Sequence, residues 1–447
     1  MNPVHVAVRW PGMANVQSAL FQCELGKDIK ISPELLQDYC AKLITPVEQD
    51  LVVLAASVAF ADRLVRRQHS MGWSRDLVLT VPVSDPSFWS RSTLTTTLHD
   101  ALEYVTGDHW EFDFVKDCGQ SLVKGQSSLD FTSENYVVLP FSDGLDSFLQ
   151  WQLLKQEDTK CKILRVHTKS RASNKVRNKL IDAQGDNSDQ RLGMPVSFTL
   201  GDHLEPTYRT RTFLFFVIAA LAASKSGTNR VVVGENGVGA LGPSMLPMGD
   251  ECPHRTTHPA FTRRLASFIN MTLGCNIAFE HPQIYRTKGQ VLANAISLGV
   301  CGWESTHSCT RRPQNRLDKK PCGVCGGCLL RRTAIHSAGK NDPAVYFWDN
   351  LSGITLDDCR SEKTGRNATK TDLDIAKHGI FDMSEFSGLG ETGVSDEVFQ
   401  RAAWELTEKA GILLDEAQSR IRVLAETHAK EWTDFRKQYH SSGFINA

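Results

Sequence analysis

The sequence has no long apolar run, no excess of charge of either sign and no internal repeat, and each absence narrows what the chain can be. Its longest uninterrupted apolar stretch is the 11 residues from Phe213 to Ala223. Crossing a bilayer takes about 20, so this stretch predicts a buried core helix. Fifty Lys and Arg stand against 51 Asp and Glu, which leaves no global field for capturing nucleic acid or a membrane surface. The opening residues Met1 to His5 show no basic segment leading into an apolar one, so no signal peptide is expected and a cytoplasmic protein is. What is present is ordinary for a globular chain: 447 residues, 41% hydrophobic and 23% charged. That is room for two or three domains with a sizeable core.

The 12 cysteines fall into two classes. Cys23, Cys40, Cys118, Cys161, Cys252, Cys275, Cys301 and Cys359 are scattered, and in a reducing cytosol they read as small buried hydrophobes. Cys309, Cys322, Cys325 and Cys328 are crowded together.

Alternation at Val4, Val6, Val8 and Trp10 predicts a first strand, followed by a helix from about Val47 to Arg66. A strand near Leu77 to Val83, a helix over Ser87 to Val105 and a strand at Trp110 to Val115 complete a small N-terminal α/β domain, residues 1–130. The polar stretch Lys124 to Ser128 reads as a linker. Residues 131–338 then alternate strands (Tyr136 to Pro140, Lys162 to His167, Val196 to Leu200, Arg230 to Val233) with helices (Asp146 to Lys155, Lys175 to Ala183, Arg211 to Ser224, His258 to Leu273, Lys288 to Gly299). That alternation predicts a parallel sheet covered on both faces. Residues 339–447 are more polar, and Ser395 to Arg436 reads as one or two amphipathic helices.

The segment Val137-Val138-Leu139-Pro140-Phe141-Ser142-Asp143-Gly144-Leu145-Asp146-Ser147 runs from an apolar strand through a tight polar turn into a helix. Backbone N–H groups at such a turn surround an anion, and the helix dipole favours negative charge there. Ser142 and Ser147 add hydroxyls, Gly144 permits close approach, and Asp146 serves as an N-cap or a Mg²⁺ ligand. Out of context the segment is equally an ordinary capped turn. It resembles the SGGxDS loop of the PP-loop ATP pyrophosphatases, which cleave ATP between its α and β phosphates and transfer AMP to a substrate oxygen. Asp143 departs from that pattern, standing where the family has a second Gly.

The spacing Cys309-x12-Cys322-x2-Cys325-x2-Cys328, with glycines between the last three, lets four thiolates converge on one ion. A closed tetrahedral Zn²⁺ site is expected, with an iron–sulfur cluster as the chemical rival. The loop followed by this cluster resembles the 7-cyano-7-deazaguanine synthases, the QueC family, over Tyr136 to His336. Arg211 to Phe216 resembles the family's Arg-Asn-x-Leu-Phe-Leu helix start, and Val231 to Glu235 its strand beside the substrate. Phe279-Glu280-His281-Pro282 with Lys288 is similar to its Glu-Thr-Pro…Lys segment, and Ser305 to Cys309 to its entry into the zinc site. The resemblance implies a PP-loop (adenine nucleotide alpha hydrolase-like) α/β core with a Cys₄ zinc site. It implies an ATP site of Phe141, Ser142, Asp143, Gly144, Leu145, Asp146 and Ser147, joined by His167 and Glu235. Catalytic roles fall to Asp146, Ser147, Arg211 and Lys288, with ATP, Mg²⁺ and structural Zn²⁺ as cofactors. For Arg211 and Lys288 a plain structural ion pair or solvated charge is nearly as good a reading.

The implied chemistry is adenylation of the carboxylate of 7-carboxy-7-deazaguanine, then amide formation and dehydration to the nitrile. The added N-terminal domain and helical tail resemble the QueC-like proteins of bacterial antiphage systems, of the QatC type. There the resemblance implies protein partners from a defence operon and coupling of the activated deazaguanine to a partner's amine. Two alternatives stay open: a nucleotide-binding subunit without catalysis, which Asp143 favours, and a tRNA-modifying PP-loop enzyme. The basic groups Lys169, Arg171, Lys175, Arg177, Lys179 and Arg311, Arg312, Arg316, Lys319, Lys320 lack interleaved aromatics and read as solvated or phosphate-facing, so a nucleic-acid partner is not expected.

Overall fold

The computed structural model describes residues 3–32, 44–68, 72–119, 122, 136–142, 144–157, 161–168, 189–200, 205–246, 249, 251–311, 320–361, 366–391, 393–407 and 413–446. It contains two parallel sheets and a helical C-terminus. The first sheet has the order β2-β1-β4-β5, from β1 (Val4–Arg9), β2 (Phe21–Glu24), β4 (Asp76–Val83) and β5 (His109–Lys116). The second has the order β11-β10-β6-β7-β8, from β6 (Tyr136–Pro140), β7 (Lys162–His167), β8 (Asp189–Gly193), β10 (Arg230–Val232) and β11 (Ala278–Glu280), with every described pairing parallel. β3 (Ile29–Ile31) and β9 (Val196–Phe198) form a separate antiparallel ribbon that ties the N-terminal part to the second sheet's chain.

Helix α1 (Pro46–Leu64) begins with a capping box between Thr45 and Glu48 and carries Pro46 in its first turn, where the missing N–H costs nothing. Its Leu-Val-Val-Leu-Ala-Ala-Ser-Val-Ala-Phe-Ala run is buried throughout. It packs on α5 (Arg211–Lys225), so one apolar core runs from Val6, Leu79 and Trp110 through α1 to Val138, Phe213 and Phe268. The opposite face of the second sheet is covered by α4 (Leu145–Glu157) and α8 (Lys288–Ser297).

The single helix expected over Ser87 to Val105 is two, α2 (Pro86–Trp89) and α3 (Ser92–Thr106), because Asp85 caps the first turn and the chain breaks at Ser90-Arg91. The strand expected at Val196 to Leu200 does not join the main sheet; that edge is β8, hidden in the polar run Asp189 to Gly193. α6 (Gly237–Met245), α7 (Pro259–Leu273) and α9 (Gly326–Ser337) complete the middle region. The stretch Ser395 to Arg436 holds two helices, as expected, α11 (Asp396–Thr407) and α12 (Leu414–Arg436), and among the described residues the tail adds a third before them, α10 (Lys370–Gly388). The expected linker at 124–128 and the helix at 175–183 lie outside the described residues. Among those described, no helix is long and apolar enough to cross a membrane.

Four charged side chains are buried together where the N-terminal sheet meets α5. Arg75 reaches Asp62 and Asp108 at 2.6 Å each, Arg67 forks onto Asp108, and Asp62 accepts from the Thr210 N–H and hydroxyl at 2.9 Å. Removing one member strands its partners' charge in a dry site. Asp108→Ala is therefore expected to cost about 3–5 kcal/mol, read as a lower denaturation midpoint at unchanged slope.

Candidate functional site

Sheet order reverses at β6: the chain runs outward through β7 and β8, then crosses to β10 and β11 on the other side. In an open α/β sheet the crevice beyond the carboxyl ends of the strands at such a switch point is where ligands bind. The turn after β6 and the Glu235-Asn236 segment after β10 flank that crevice.

Phe141 and Leu145 are fully buried and anchor the turn; Phe141 N–H donates to Val166 O at 2.8 Å, and its ring meets Trp151 and His167 edge-on. Their side chains belong to the core, so only their backbone faces a ligand. Ser142 is exposed, with its N–H 3.3 Å and its Oγ 3.4 Å from the buried Ser147 hydroxyl, which also donates to Gly144 O. Gly144 opens the turn beside the carbonyl of His307. Asp143 lies outside the described residues. The first turn of α4 supplies unpaired helical N–H groups and the positive end of its dipole, a fit for phosphate oxygens. His167 ends β7 beneath the turn, buried against Phe141.

Asp146, in the first turn of α4, is the hub of a charged cluster. Lys288 Nζ lies 2.8 Å from its Oδ2, and Asn236 Nδ2 donates to its Oδ1 at 3.0 Å and to Glu235 Oε1 at 2.8 Å. Burial and the Asp146 charge push the Glu235 carboxyl well above the ordinary glutamate range, against the pull of Lys288. Burial opposes the Lys288 ammonium, but Asp146 and Glu235 outweigh it and hold its pKa above the usual lysine value. The result is a fixed cation between two carboxylates at the mouth of the crevice. Asn236 went unnoticed in the sequence. Its signal was a polar residue following a strand and a glycine, and its Oδ1 caps α6 by accepting from Gly239 N–H at 3.1 Å.

Lys288 is the first residue of α8, whose capping box joins Thr287 and Gln290. The Thr287 hydroxyl accepts from Gln290 N–H and donates to Glu431 of α12 at 2.7 Å, so the tail braces the helix that carries the lysine. Burial lifts the Glu431 carboxyl to about 7, although Thr287 and Ser337 pull it down. The folded state thus holds this proton longer than the unfolded chain. Stability is highest below the ordinary glutamate pKa and declines as pH rises to about 7. Glu431→Gln is expected to flatten that decline in denaturation curves taken at pH 5 and pH 8.

Arg211 stands apart from this cluster. It is exposed at the start of α5, where its charge acts on Tyr208 and His254. Arg311 pairs with Asp372 of α10 at 2.7 Å and is structural, while Lys169, Arg171, Lys175, Arg177, Lys179, Arg312, Arg316 and Lys319 lie outside the described residues.

The four clustered cysteines converge. Their sulfurs all lie within 4.8 Å of one another, with Cys322–Cys328 at 3.9 Å and Cys325–Cys309 at 4.0 Å. Four sulfurs around Zn²⁺ with bonds of about 2.3 Å sit about 3.8 Å apart, so this set could hold a metal such as zinc with little adjustment. Backbone N–H groups of Cys322 and Cys325 point at Cys309 and Cys322 sulfur at 3.4 Å each, as expected around thiolates. Gly323 has φ of 89°, and a Cβ there would strike Trp348 O; one on Gly327 would strike Ser308 O. Cys325 is the N-cap residue of α9, and the arm bearing Cys309 passes His307, beside Gly144 of the turn after β6. The cysteine cluster and the turn therefore share a wall.

Residues 189–339 match the family model described as Queuosine biosynthesis protein QueC. Among curated proteins, the 7-cyano-7-deazaguanine synthase of Marinobacter nauticus is 24% identical over 230 residues, 47% of this chain and 96% of that protein. That of Thermoplasma acidophilum is 31% identical over 142 residues, 30% of this chain and 52% of its own length. That of Trichodesmium erythraeum is 40% identical over 69 residues, 15% of this chain and 28% of its own. A QueC-type domain thus lies in an α/β protein with a four-cysteine cluster and a helical C-terminus.

Proposed function

We propose that the protein is an ATP-dependent, AMP- and pyrophosphate-forming ligase of the QueC type. It activates the carboxylate of 7-carboxy-7-deazaguanine and passes the acyl group to nitrogen, in an antiphage setting to an amine of a partner protein. The observation that carries this reading is the Asp146–Lys288 pair at the switch point, directly behind the phosphate turn.

In the proposed step a carboxylate oxygen of the substrate attacks the α-phosphorus of ATP, the Pα–O bond to the β-phosphate breaks, and pyrophosphate leaves. The amine nitrogen then attacks the acyl carbon, AMP leaves with the oxygen bound to phosphorus, and the amine gives up a proton. The α4 N-terminus with Ser142 and Ser147 would hold phosphate oxygens, and Lys288 would offset the charge that develops on them. Asp146, with Ser142, would hold Mg²⁺, which when bound neutralises polyphosphate charge. Glu235, with its raised pKa, is suited to take the amine's proton. The four cysteines would hold Zn²⁺ as a closed structural site. A 1–130 accessory unit and a 339–447 extension around a 131–338 catalytic unit would give a partner's chain end a place to dock against the acyl-adenylate.

A second reading, a nucleotide-binding subunit without turnover, is favoured by Asp143 in place of the family's glycine. Incubation with ATP, Mg²⁺ and 7-carboxy-7-deazaguanine, with ammonia or a co-expressed partner as acceptor, separates them. AMP and pyrophosphate in equal amounts are expected; ATP binding without AMP would establish the second reading, and AMP formed only with tRNA would overturn both.

A further inference from the structure

We propose that the start of α5 is a second anion site, which takes a phosphate or carboxylate group on the guanidinium of Arg209. It does not depend on the adenylation reading.

Arg209 is 4% exposed, yet its Nε and Nη1 have no hydrogen-bond partner, and among the described residues no carboxylate pairs with it. Leaving a buried charge unpaired is costly. The other arginine on the same Trp73 ring is fully committed: Arg67 lies 4.1 Å from the ring centroid and forks onto Asp108, whereas Arg209 lies 5.0 Å away and forks onto nothing. The neighbouring acid Asp62 is taken up by Arg75 and Thr210.

The helix start that follows lacks the usual satisfaction as well. Thr210, its N-cap residue, makes no side-chain cap bond because its hydroxyl is held by Asp62, and the buried Thr212 Oγ1 is also unpartnered. A 15-residue helix thus presents free first-turn N–H groups and its positive dipole end beside an unpaired guanidinium. Tyr208 holds φ at 35°, the left-handed region, and is the one non-glycine residue to do so among those described.

His254 is a solvent-exposed residue of the neighbouring segment; desolvation of its ring, then Arg209 and Arg211, lower its pKa to about 4, so at neutral pH it adds no charge of its own. Arg209 and Arg211 thus bring two positive charges to this helix start; Asp62 and Glu251 act on Arg209, but Asp62 is taken up by Arg75 and Thr210, and an oxyanion with two or three acceptor oxygens fits the guanidinium. A neutral ligand would leave the guanidinium as it stands.

The test is thermal melting and calorimetric titration with inorganic phosphate and, separately, pyrrole-3-carboxylate, on wild type, Arg209→Met, Arg209→Lys and Ser147→Ala. At least one probe is expected to raise the wild-type and Ser147→Ala melting temperatures equally, and which one does so identifies the anion. Arg209→Met should melt at or above the ligand-free wild type, since it removes an unpaired buried charge, and bind the probe at least tenfold more weakly; Arg209→Lys should fall between. The proposal is overturned if neither probe binds wild type, if Arg209→Met keeps full affinity, or if it melts far below wild type, which would make Arg209 structural. Loss of binding in Ser147→Ala alone would put the anion on the turn after β6 and also overturn it.

Discussion

A Cys325→Ser protein is expected to lose its metal ion, much of its stability and most of its ATP turnover together. Cys325 contributes sulfur to the cluster from the N-cap position of α9 and is 2% exposed, so its serine replacement has neither the soft ligand nor room to recruit water in its place. Structural zinc binding contributes on the order of 10–16 kcal/mol in small zinc domains, so even a partial loss rivals the whole stability of an ordinary domain, about 5–15 kcal/mol. Activity should follow because the Cys309 arm runs past Gly144, and loosening it loosens the phosphate turn. Elemental analysis, melting temperature and AMP release on one preparation check all three. A folded Cys325→Ser protein with wild-type melting temperature and full turnover would show that the cluster holds no structural metal. Iron with visible absorbance in the wild type would replace zinc with a cluster.

What could be read from the sequence follows from where each signal is encoded. The cysteine site was legible because its ligands are spaced by covalent chain, twelve and then two residues apart, and folding had only to close two short turns. α1 and α5 were legible because they are buried on nearly all sides, which leaves apolar runs, and β1 because Val4, Val6 and Val8 alternate with other side chains. β2 (Phe-Gln-Cys-Glu) and β8 (Asp-Gln-Arg-Leu-Gly) were not, since each edges its sheet and meets a neighbour on one side only. β9 looked like a sheet strand but pairs with β3, more than 160 residues earlier in the chain, a contact no local pattern encodes. The charged cluster was half legible. Asp146 and Lys288 carry motif signals, whereas Asn236 and Glu431 enter the cluster through tertiary contacts with helices distant in sequence.

The last expected result separates what Lys288 does for the fold from what it does for the reaction. Lys288→Met leaves Asp146 and Glu235 as two close carboxylates with no buried cation between them. Stranding buried charge costs about 3–5 kcal/mol, so this variant should melt well below wild type. Adding Asp146→Asn removes one of the stranded charges, and the double variant should recover much of that loss, since the two sites share one network and their effects are not additive. Turnover should behave in the opposite way. Removing a group that stabilises developing charge slows chemistry about 10²–10³-fold, and the double variant, lacking both the cation and the Asp146 carboxylate, should be at least as slow as either single one. Asp146→Ala and Ser147→Ala should likewise stop AMP release while the protein stays folded. Melting temperatures and single-turnover AMP release on wild type, both single variants and the double variant complete the cycle. If stability and turnover recover together in the double variant, Lys288 serves only to neutralise Asp146 and has no part in the chemistry. If stability recovers and turnover does not, the pair acts on the phosphates.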